Sequence, residues 1–411
     1  MALENTEALI KNEAVLFHPL TASGMRAAAH AGGRSLWQFP LGDELVLARR
    51  DVQGLFLLNG TARFLWDEVS RGASLHEIEQ TFVTRYGVPP ALARQDIEAT
   101  LGGWSQSLLG PTPGEGVDSR AVCASALGDF ESGGTAVEIN CLLNGRAFRV
   151  VLESGDLVEE IAPRLTPVAV KRLPPDAPFL TFTLLNGNDR VFVFRNGVCI
   201  AEEDKTSGAR AILLQELTAH CDPGREVKAI LHAGACGTAS GCIILAGSSH
   251  AGKSTLCAAL MAEGFLCYAD DSAVLDGQFR VSGIPIPLTL RESSWPVLAA
   301  RFPAFMNGAS VHRRWECNVR FLPSNLPANY SPAVAPKALV LVDYQPRAAT
   351  RLHRLNPFEA LMALRQSGFW VQHDRESIGR FLAWIGELDS YRLTYSLLDE
   401  ATGSVRALLA R

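Results

Sequence analysis

Apolar positions form two successive patterns between residues 33 and 110. Three short apolar runs predict strands, at 35–41, 44–48 and 54–59. Three stretches with apolar residues every three or four positions then predict helices, at 62–70, 74–86 and 91–109. Ser74 followed by Glu77 is a capping-box pattern, which supports a helix start there. The pattern predicts a small α+β module of three strands followed by three helices.

The pattern changes after residue 110. Residues 111–135 are rich in Gly, Pro, Ser and acidic residues, which is typical of a linker, and residues 1–32 are an alanine-rich, weakly patterned extension. From 136 to 411 strands and helices alternate, which predicts an α/β domain. Asn144-Gly145 between two apolar runs indicates a two-residue hairpin. Further strands are predicted at 179–185, 190–201, 227–234 and 337–344, and a helix at 208–220.

Composition excludes some classes of function. The 411 residues carry a formal net charge of −5 without a long basic run, so nucleic acid and anionic membranes are not expected partners. The nine cysteines include no C-x2-C pair and several lie in apolar runs, as reduced core residues of a cytoplasmic protein would. Neither a signal-peptide pattern nor an uninterrupted apolar span is present, which also favours the cytoplasm.

Candidate chemistry begins with a glycine-rich run that follows the apolar residues 242–246 and precedes a predicted helix. It fits Gly-x4-Gly-Lys-[Ser/Thr] and comprises Gly247, Ser248, Ser249, His250, Ala251, Gly252, Lys253, Ser254 and Thr255. In such a run the glycine backbone turns its N–H groups onto phosphates, the lysine reaches the terminal phosphates, and the hydroxyl that follows binds Mg²⁺. The alternative is a Gly/Ser-rich strand-to-helix turn that binds nothing. We call residues 247–252 the glycine loop.

Two carboxylates follow seventeen residues after Lys253. Asp270 and Asp271 end an apolar run that one helix and a tight return would bring beside the glycine loop. Phosphoryl transfer needs Mg²⁺ and a base for the acceptor hydroxyl, and two carboxylates can divide these roles. Alternatively, one aspartate lies in the site and the other bonds within a turn. His232 could hold an aspartate or touch a phosphate, although a single histidine on an apolar strand is more often a core residue.

These residues resemble a known family. GSSHAGKST, followed by GFLCYADD and preceded by LHAG, resembles the catalytic domain of the HPr serine kinase/phosphorylases and their relatives. The resemblance implies a fold similar to the nucleotide-binding part of phosphoenolpyruvate carboxykinase, and transfer of a phosphate from ATP or GTP to a serine hydroxyl. It also implies roles: Lys253 on the phosphates, Ser254 and Asp271 on Mg²⁺, Asp270 as the base, and His232 supporting the aspartates.

The sequence departs from that family at two places. His250-Ala251 stand where these kinases usually have a glycine and a small residue. Leu290-Arg291-Glu292-Ser293 stand where they have Glu-Ile-Arg-Gly, which puts the phosphorylase activity in doubt and leaves the second metal ligand open. Arg291 more closely resembles the basic residue of an L-K-N-x-S segment in HPr-kinase-related proteins and could neutralise transition-state charge. An exposed arginine after a strand is the alternative.

The module at 33–110 resembles the PqqD family, whose members recognise the leader segments of ribosomally made, modified peptides. FLLN, GTARFLWDEV, TRYGV and ALARQDIEATL carry the resemblance, which implies a small winged-helix-like domain whose edge strand pairs with an extended peptide. A packing or DNA-binding domain is the alternative. Seven arginines against nine acidic residues leave no basic face for DNA.

Together the patterns predict a Mg²⁺-dependent kinase that phosphorylates a serine or threonine of a peptide or small protein held by its own N-terminal module. Alternatives are a metabolite kinase or carboxykinase-like enzyme, and a non-catalytic nucleotide-binding peptide chaperone. The resemblance also admits a homo-oligomer, since HPr kinases form hexamers, but the sequence shows no interface.

Overall fold

The computed structural model describes residues 36–108, 135–153, 155–187, 190–222, 224–308, 310–312, 317–327, 330 and 332–411. The predicted extension at 1–32 and all but the last residue of the predicted linker lie outside these ranges. The described residues form two compact units. The first contains those before position 117 together with His373–Leu382, and the second contains the rest.

The first unit has three strands followed by three helices. The strands form one antiparallel sheet in the order β1-β2-β3: β1 Leu36–Leu41, β2 Glu44–Arg49 and β3 Phe56–Leu58. The helices are α1 Gly60–Arg71, α2 Leu75–Tyr86 and α3 Pro90–Ser107. Ser74 and Glu77 complete the capping box at the start of α2. The buried apolar positions identified in the sequence supply the core, in which Trp66 packs edge-on against Trp104 with ring centroids 5.7 Å apart.

A distant segment completes this unit. The Nε2 atom of His373 lies 2.6 Å from the carbonyl oxygen of Arg49, and its ring centroid lies 5.6 Å from that of Trp37. A Cβ on Gly379 would lie 3.5 Å from the Phe39 ring. Trp37 and Phe39 of β1 therefore pack against a segment more than 300 positions downstream, which the sequence pattern did not predict.

A five-stranded sheet opens the second unit, in the order β4-β5-β6-β7-β8. Its strands are β4 Ala136–Leu143, β5 Arg146–Glu153, β6 Phe179–Gly187, β7 Arg190–Arg195 and β8 Val198–Glu203. Two helices pack with this sheet, α4 Asp156–Leu165 and α5 Thr206–His220. Asn144 and Gly145 turn the first hairpin with φ values of 50° and 79°, as their dipeptide predicts. The predicted single strand at 190–201 is two strands, because Asn196-Gly197 makes a second such turn.

The remaining described strands belong to three further sheets, and strands of different sheets follow one another along the chain. They are β9 Val227–Leu231, β10 Ala233–Thr238, β11 Gly241–Ala246, β12 Leu266–Ala269, β13 Ala273–Asp276, β14 Val281–Ser282, β15 Leu288–Arg291, β16 Val311–His312, β17 Asn318–Leu322, β18 Pro336–Tyr344, β19 Arg351–Leu355, β20 Phe369–Val371 and β21 Ser390–Tyr395. Six of them form one sheet, in the order β12-β10-β11-β18-β21-β19. The other sheets have the orders β14-β13-β9-β20 and β15-β17-β16.

Six further helices lie in this part of the described chain. They are α6 Lys253–Ala262, α7 Trp295–Leu298, α8 Pro303–Met306, α9 Pro357–Ser367, α10 Arg375–Glu387 and α11 Leu398–Leu409. Both α6 and α11 bury apolar faces in the core with the six-stranded sheet, whose strands β11, β18 and β21 are parallel. The fold is therefore mixed α/β. None of the helices in the described ranges combines the length and the apolar character needed to cross a bilayer.

One predicted strand, at 227–234, divides between two sheets. Residues up to Leu231 belong to β9 in the four-stranded sheet, and residues from Ala233 belong to β10 in the six-stranded sheet. His232 occupies the junction, where its amide donates to the carbonyl of Gly368. The histidine predicted on a strand therefore lies at a break between two sheets.

Candidate functional site

The glycine loop joins β11 to the first turn of α6, and its shape requires glycine at both ends. Gly247 has φ +151°, and a Cβ there would lie 2.6 Å from the carbonyl oxygen of Val342. Gly252 has φ +93°, and a Cβ there would lie 2.4 Å from the Tyr395 hydroxyl. His250 adopts φ +69°, a left-handed conformation that is uncommon outside glycine. The loop therefore fits closely against the ends of β18 and β21.

Lys253 begins α6, and its side chain turns back over the loop. The residue is 7% exposed, and its Nζ donates to the carbonyls of Gly247 at 2.7 Å and Ser248 at 3.2 Å. The same Nζ lies 3.5 Å from Nε2 of His232. Burial lowers the pKa of Lys253, although the charges of Asp271 and Asp270 oppose that change. The structure thus brings the predicted lysine and histidine together.

Asp270 follows β12 and is held by a backbone amide. Its Oδ2 accepts from the Thr289 amide at 2.9 Å, whereas its Oδ1 is buried and has no hydrogen-bond partner within the described residues. Burial, and then the charge of Asp271, raises the pKa of Asp270 to about 7, although the nearby Ser254 hydroxyl and the Thr289 amide act in the opposite direction. The carboxyl can therefore change its charge near neutral pH.

Asp271 has the opposite behaviour. Its Oδ2 accepts from Nη2 of Arg210 at 3.1 Å, and its Oδ1 lies 3.5 Å from Nδ1 of His232. Burial raises the pKa of Asp271, but the positive charges of Arg210, His232 and Lys253 outweigh it, so the net pKa lies below the ordinary value. Adjacent carboxyls whose environments move their pKa values apart are a common arrangement in acid–base sites. Both aspartates lie in the candidate site, whereas the alternative placed one of them in a turn.

The remaining residues of the glycine-rich run differ in exposure. Ser248, Ser249 and His250 are exposed, and Ala251 is buried with its amide donating to the Ser248 carbonyl at 3.2 Å. Ser254 and Thr255 lie half-buried in the first turn of α6. Because Ser254 is close enough to affect the pKa of Asp270, the hydroxyl and the carboxylates share one side of the site.

Arg291 ends β15 and reaches the glycine loop. Its Nη1 lies 2.6 Å from Nε2 and 3.1 Å from Nδ1 of His250. The next residue, Glu292, is exposed and accepts from the Asn318 amide at 2.8 Å. The two departures from the family pattern, His250 and Arg291, are therefore in contact with each other.

Two buried arginines that no sequence motif indicated lie behind the aspartates. Arg210 of α5 donates to both Glu160 and Asp271, and Arg164 of α4 donates to the Thr289 hydroxyl at 2.8 Å. Only 1% of Arg164 and 7% of Arg210 is exposed. Arginine is almost never buried without a charged partner, so Arg210 among the apolar residues of the helix predicted at 208–220 was the signal available. No helix was predicted around Arg164.

Three cysteines also meet near the site, behind α6. Cys236, Cys257 and Cys267 are buried free thiols whose Sγ atoms lie within 4.8 Å of one another. They belong to the apolar core around α6, so the prediction of cysteines as reduced core residues agrees with their placement. Cys123 lies outside the described residues.

In the first unit, both outer edges of the three-stranded sheet are open within the described residues. β1 and β3 each pair with β2 on one side and with no strand on the other. The backbone groups on these outer sides, that of β3 included, can pair with an added strand.

Comparison with known protein families gives a match within the first unit. Residues 44–107 match the family described as coenzyme PQQ synthesis protein D (PqqD), and they lie inside the module predicted from the sequence. The match supports an N-terminal domain of the peptide-recognition type, as the resemblance implied. No curated protein matches the chain.

Proposed function

We propose that the chain is a Mg²⁺-dependent phosphotransferase that moves the γ-phosphoryl group of ATP or GTP to a serine or threonine hydroxyl of a bound peptide or small protein. One observation carries the proposal. His232 lies 3.5 Å from Lys253 Nζ through Nε2 and 3.5 Å from Asp271 Oδ1 through Nδ1, so it connects the glycine loop to the aspartate pair. A glycine-rich turn with no ligand would not require this connection. The proposed fold of the second unit is accordingly of the HPr kinase type.

The proposed chemistry uses phosphate-binding groups on the glycine loop and Lys253, and a base at Asp270. The loop amides and the Lys253 ammonium would hold the phosphates, since phosphoryl transfer depends mostly on positioning and on neutralising charge. The bond from the γ-phosphorus to its bridging oxygen breaks and a bond to the acceptor oxygen forms. Asp270 would accept the proton of that hydroxyl, because its carboxyl gains and loses a proton near neutral pH.

The residues present fit a magnesium ion. Mg²⁺ prefers oxygen ligands, and the site offers the Ser254 hydroxyl, the Asp271 carboxylate and Oδ1 of Asp270, which is buried and has no partner in the part of the chain that the structure describes. Ser254 and Asp271 are the proposed ligands. When bound, the ion would neutralise charge on the phosphate oxygens. Arg291, held at the loop by His250, would add positive charge for the transition state.

The first unit would supply the acceptor. The PqqD match supports peptide recognition, and the free edge of β3 is suited to pairing with an extended leader segment. Binding the leader raises the effective concentration of the acceptor hydroxyl near Asp270, so a weak acceptor site suffices. A full-length peptide should therefore have a KM roughly 10²-fold lower than its leaderless core.

The decisive experiment incubates the purified chain with ATP, Mg²⁺ and the short peptides encoded beside its gene, and measures peptide mass. We expect a gain of one phosphoryl group, absent with Lys253→Ala. Equal turnover of the full and leaderless peptides would contradict leader capture. No gain with any of these peptides, together with phosphorylation of a metabolite, would favour the metabolite kinase. Nucleotide binding without any transfer would favour the chaperone.

A further inference from the structure

We propose that Arg210 is a positioning residue for the aspartate pair. Glu160, which also contacts Arg164, holds the Arg210 side chain in place. The inference rests on the proposed phosphotransferase function and extends it to α4 and α5, which lie outside the glycine-loop motif. Neither helix carries a residue of that motif, yet each supplies a buried arginine that is linked to an aspartate. Arg210 contacts Asp271 directly, and Arg164 is linked to Asp270 through Thr289.

The network has two arms that meet at Glu160. In the first arm, Arg210 contacts Glu160 through Nη1 and Asp271 through Nη2. In the second arm, Nη2 of Arg164 lies 3.4 Å from Oε1 of Glu160 and donates to the Thr289 hydroxyl. The amide of that threonine donates in turn to Oδ2 of Asp270. The arms therefore end on different aspartates.

Burial makes this network rigid. Arg164 is 1% exposed, Arg210 is 7% exposed, and both aspartates line the same small cavity as the two arginines. A buried charge that loses its partner is costly, so each guanidinium is confined to the geometry that satisfies it. Arginine is suited to this task because its planar fork can bind two carboxylates in fixed directions.

The contacts of Arg210 distinguish positioning from phosphate binding. Its two terminal nitrogens, Nη1 and Nη2, contact the carboxylates of Glu160 and Asp271 respectively, which is the arrangement of a residue that holds a carboxylate in place. Because Arg210 occupies Oδ2 of Asp271, the other oxygen is directed to His232. Arg210 thus sets the rotation of the Asp271 carboxylate, and with it the relation of Asp271 to the lysine and the loop.

Steady-state kinetics of phosphate transfer test this role with Arg210→Gln. We expect kcat to fall by about 10- to 100-fold, because a misplaced group costs roughly that much, while the KM for nucleotide changes by less than about threefold. Arg210→Lys should recover part of the loss. The matched control is Arg195→Gln. Arg195 lies on β7 and contacts Glu216 of α5, the helix that also carries Arg210, so its loss should leave kcat unchanged. A rise in nucleotide KM equal to the fall in kcat would contradict positioning.

A double-mutant cycle separates action through Asp271 from general damage. Arg210→Gln combined with Asp271→Asn should lose little more activity than Asp271→Asn alone, whereas multiplied losses would overturn the inference. If Arg210→Gln does not fold, the double variant Glu160→Gln/Arg210→Gln, which removes one charge of each sign, is used in its place. It should be less active than Glu160→Gln alone. Equal activity of the double variant and Glu160→Gln would overturn the positioning role of Arg210.

A binding measurement keeps this inference distinct from the proposed function. A folded wild-type chain that transfers no phosphate contradicts the proposed function alone. In that case the gain in ATP affinity on adding Mg²⁺ is compared between variants by calorimetry. Arg210→Gln should reduce that gain measurably but by less than about threefold, in keeping with the small change expected in the nucleotide KM, and Arg195→Gln should not reduce it. An equal gain in both would overturn the positioning role.

Discussion

The glycine loop and the aspartate pair are neighbours built in different ways. The loop is a contiguous run whose shape comes from backbone conformation, with glycine required where a Cβ would meet Val342 or Tyr395. The aspartates follow a short strand, but their behaviour comes from side chains on α4, α5 and β15. The comparison teaches that a binding motif can be local in the chain while the groups that tune its chemistry are not.

The largest expected effect separates chemistry from binding. Asp270→Asn should lower kcat for phosphate transfer by about 10²- to 10⁴-fold, because the amide cannot accept the hydroxyl proton. The Kd for nucleotide, measured by calorimetry, should stay within about threefold, since the glycine loop is unchanged. Asp222→Asn, which alters a surface pair with Arg225, is the control. If Asp270→Asn left transfer intact, the base would have to be another group.

The second prediction tests the loop by its backbone. Gly252→Ala should weaken nucleotide binding by about 10-fold or more, since a left-handed alanine costs roughly 1–2 kcal/mol and its Cβ meets the Tyr395 hydroxyl. Gly264→Ala is a matched control, because Gly264 has the same φ of +93° with no atom within 4 Å of the added Cβ.

Tyr395→Phe added to Gly252→Ala removes the oxygen that the new Cβ would meet. It should recover part of the affinity if the close approach matters. If Tyr395→Phe restores no nucleotide affinity, and Gly264→Ala leaves that affinity unchanged, the whole effect of Gly252→Ala comes from backbone strain at position 252.

The third prediction concerns stability and pH in the absence of nucleotide and Mg²⁺. Burial raises the pKa of Asp270 from 3.8 to about 7, so the folded chain binds more protons than the unfolded chain between these values. Its contribution to stability is therefore complete below about pH 4 and is lost as pH rises toward 7. Asp270→Asn should make the free energy of unfolding less dependent on pH, by roughly 1–3 kcal/mol over that range. Denaturant titrations at several pH values measure this, and unchanged slopes would contradict the buried carboxyl.

The smallest expected effect is at the contact between the two departures from the family pattern. His250→Gly relieves a left-handed residue in the loop but removes a partner of Arg291, so transfer should change by only about threefold. Arg291→Ala should lower kcat more, by about 10-fold, if its charge acts on the transition state. Equal losses in the two variants would show that His250 acts through Arg291 alone.

The sequence predicted much of the local structure. The elements of the first unit agree with the predicted ones to within about two residues at most ends, because apolar spacing, the Ser74 cap and the glycine stops act over a few positions. The hairpin at Asn144-Gly145 is confirmed for the same reason. The predicted strand at 227–234 was wrong as a single element, since periodicity does not show which sheet each half joins.

Part of the site was also predictable. Lys253, Ser254 and the aspartates lie close together, as a short motif and one helix length predicted. The PqqD match supports the recognition module that the first unit resembles. Glu160, Arg164 and Arg210 were missed, because 61 positions separate Arg210 from its partner Asp271 and no local pattern connects them.

By itself the sequence determined where the chain turns and which faces of the helices are apolar, because these depend on the nearest residues. Only the tertiary structure decided that Asp271 is paired with Arg210, that Oδ1 of Asp270 is buried with no partner among the described residues, and that His373–Leu382 packs against β1. Charge and burial depend on every group within a few ångströms, and those groups come from distant parts of the chain.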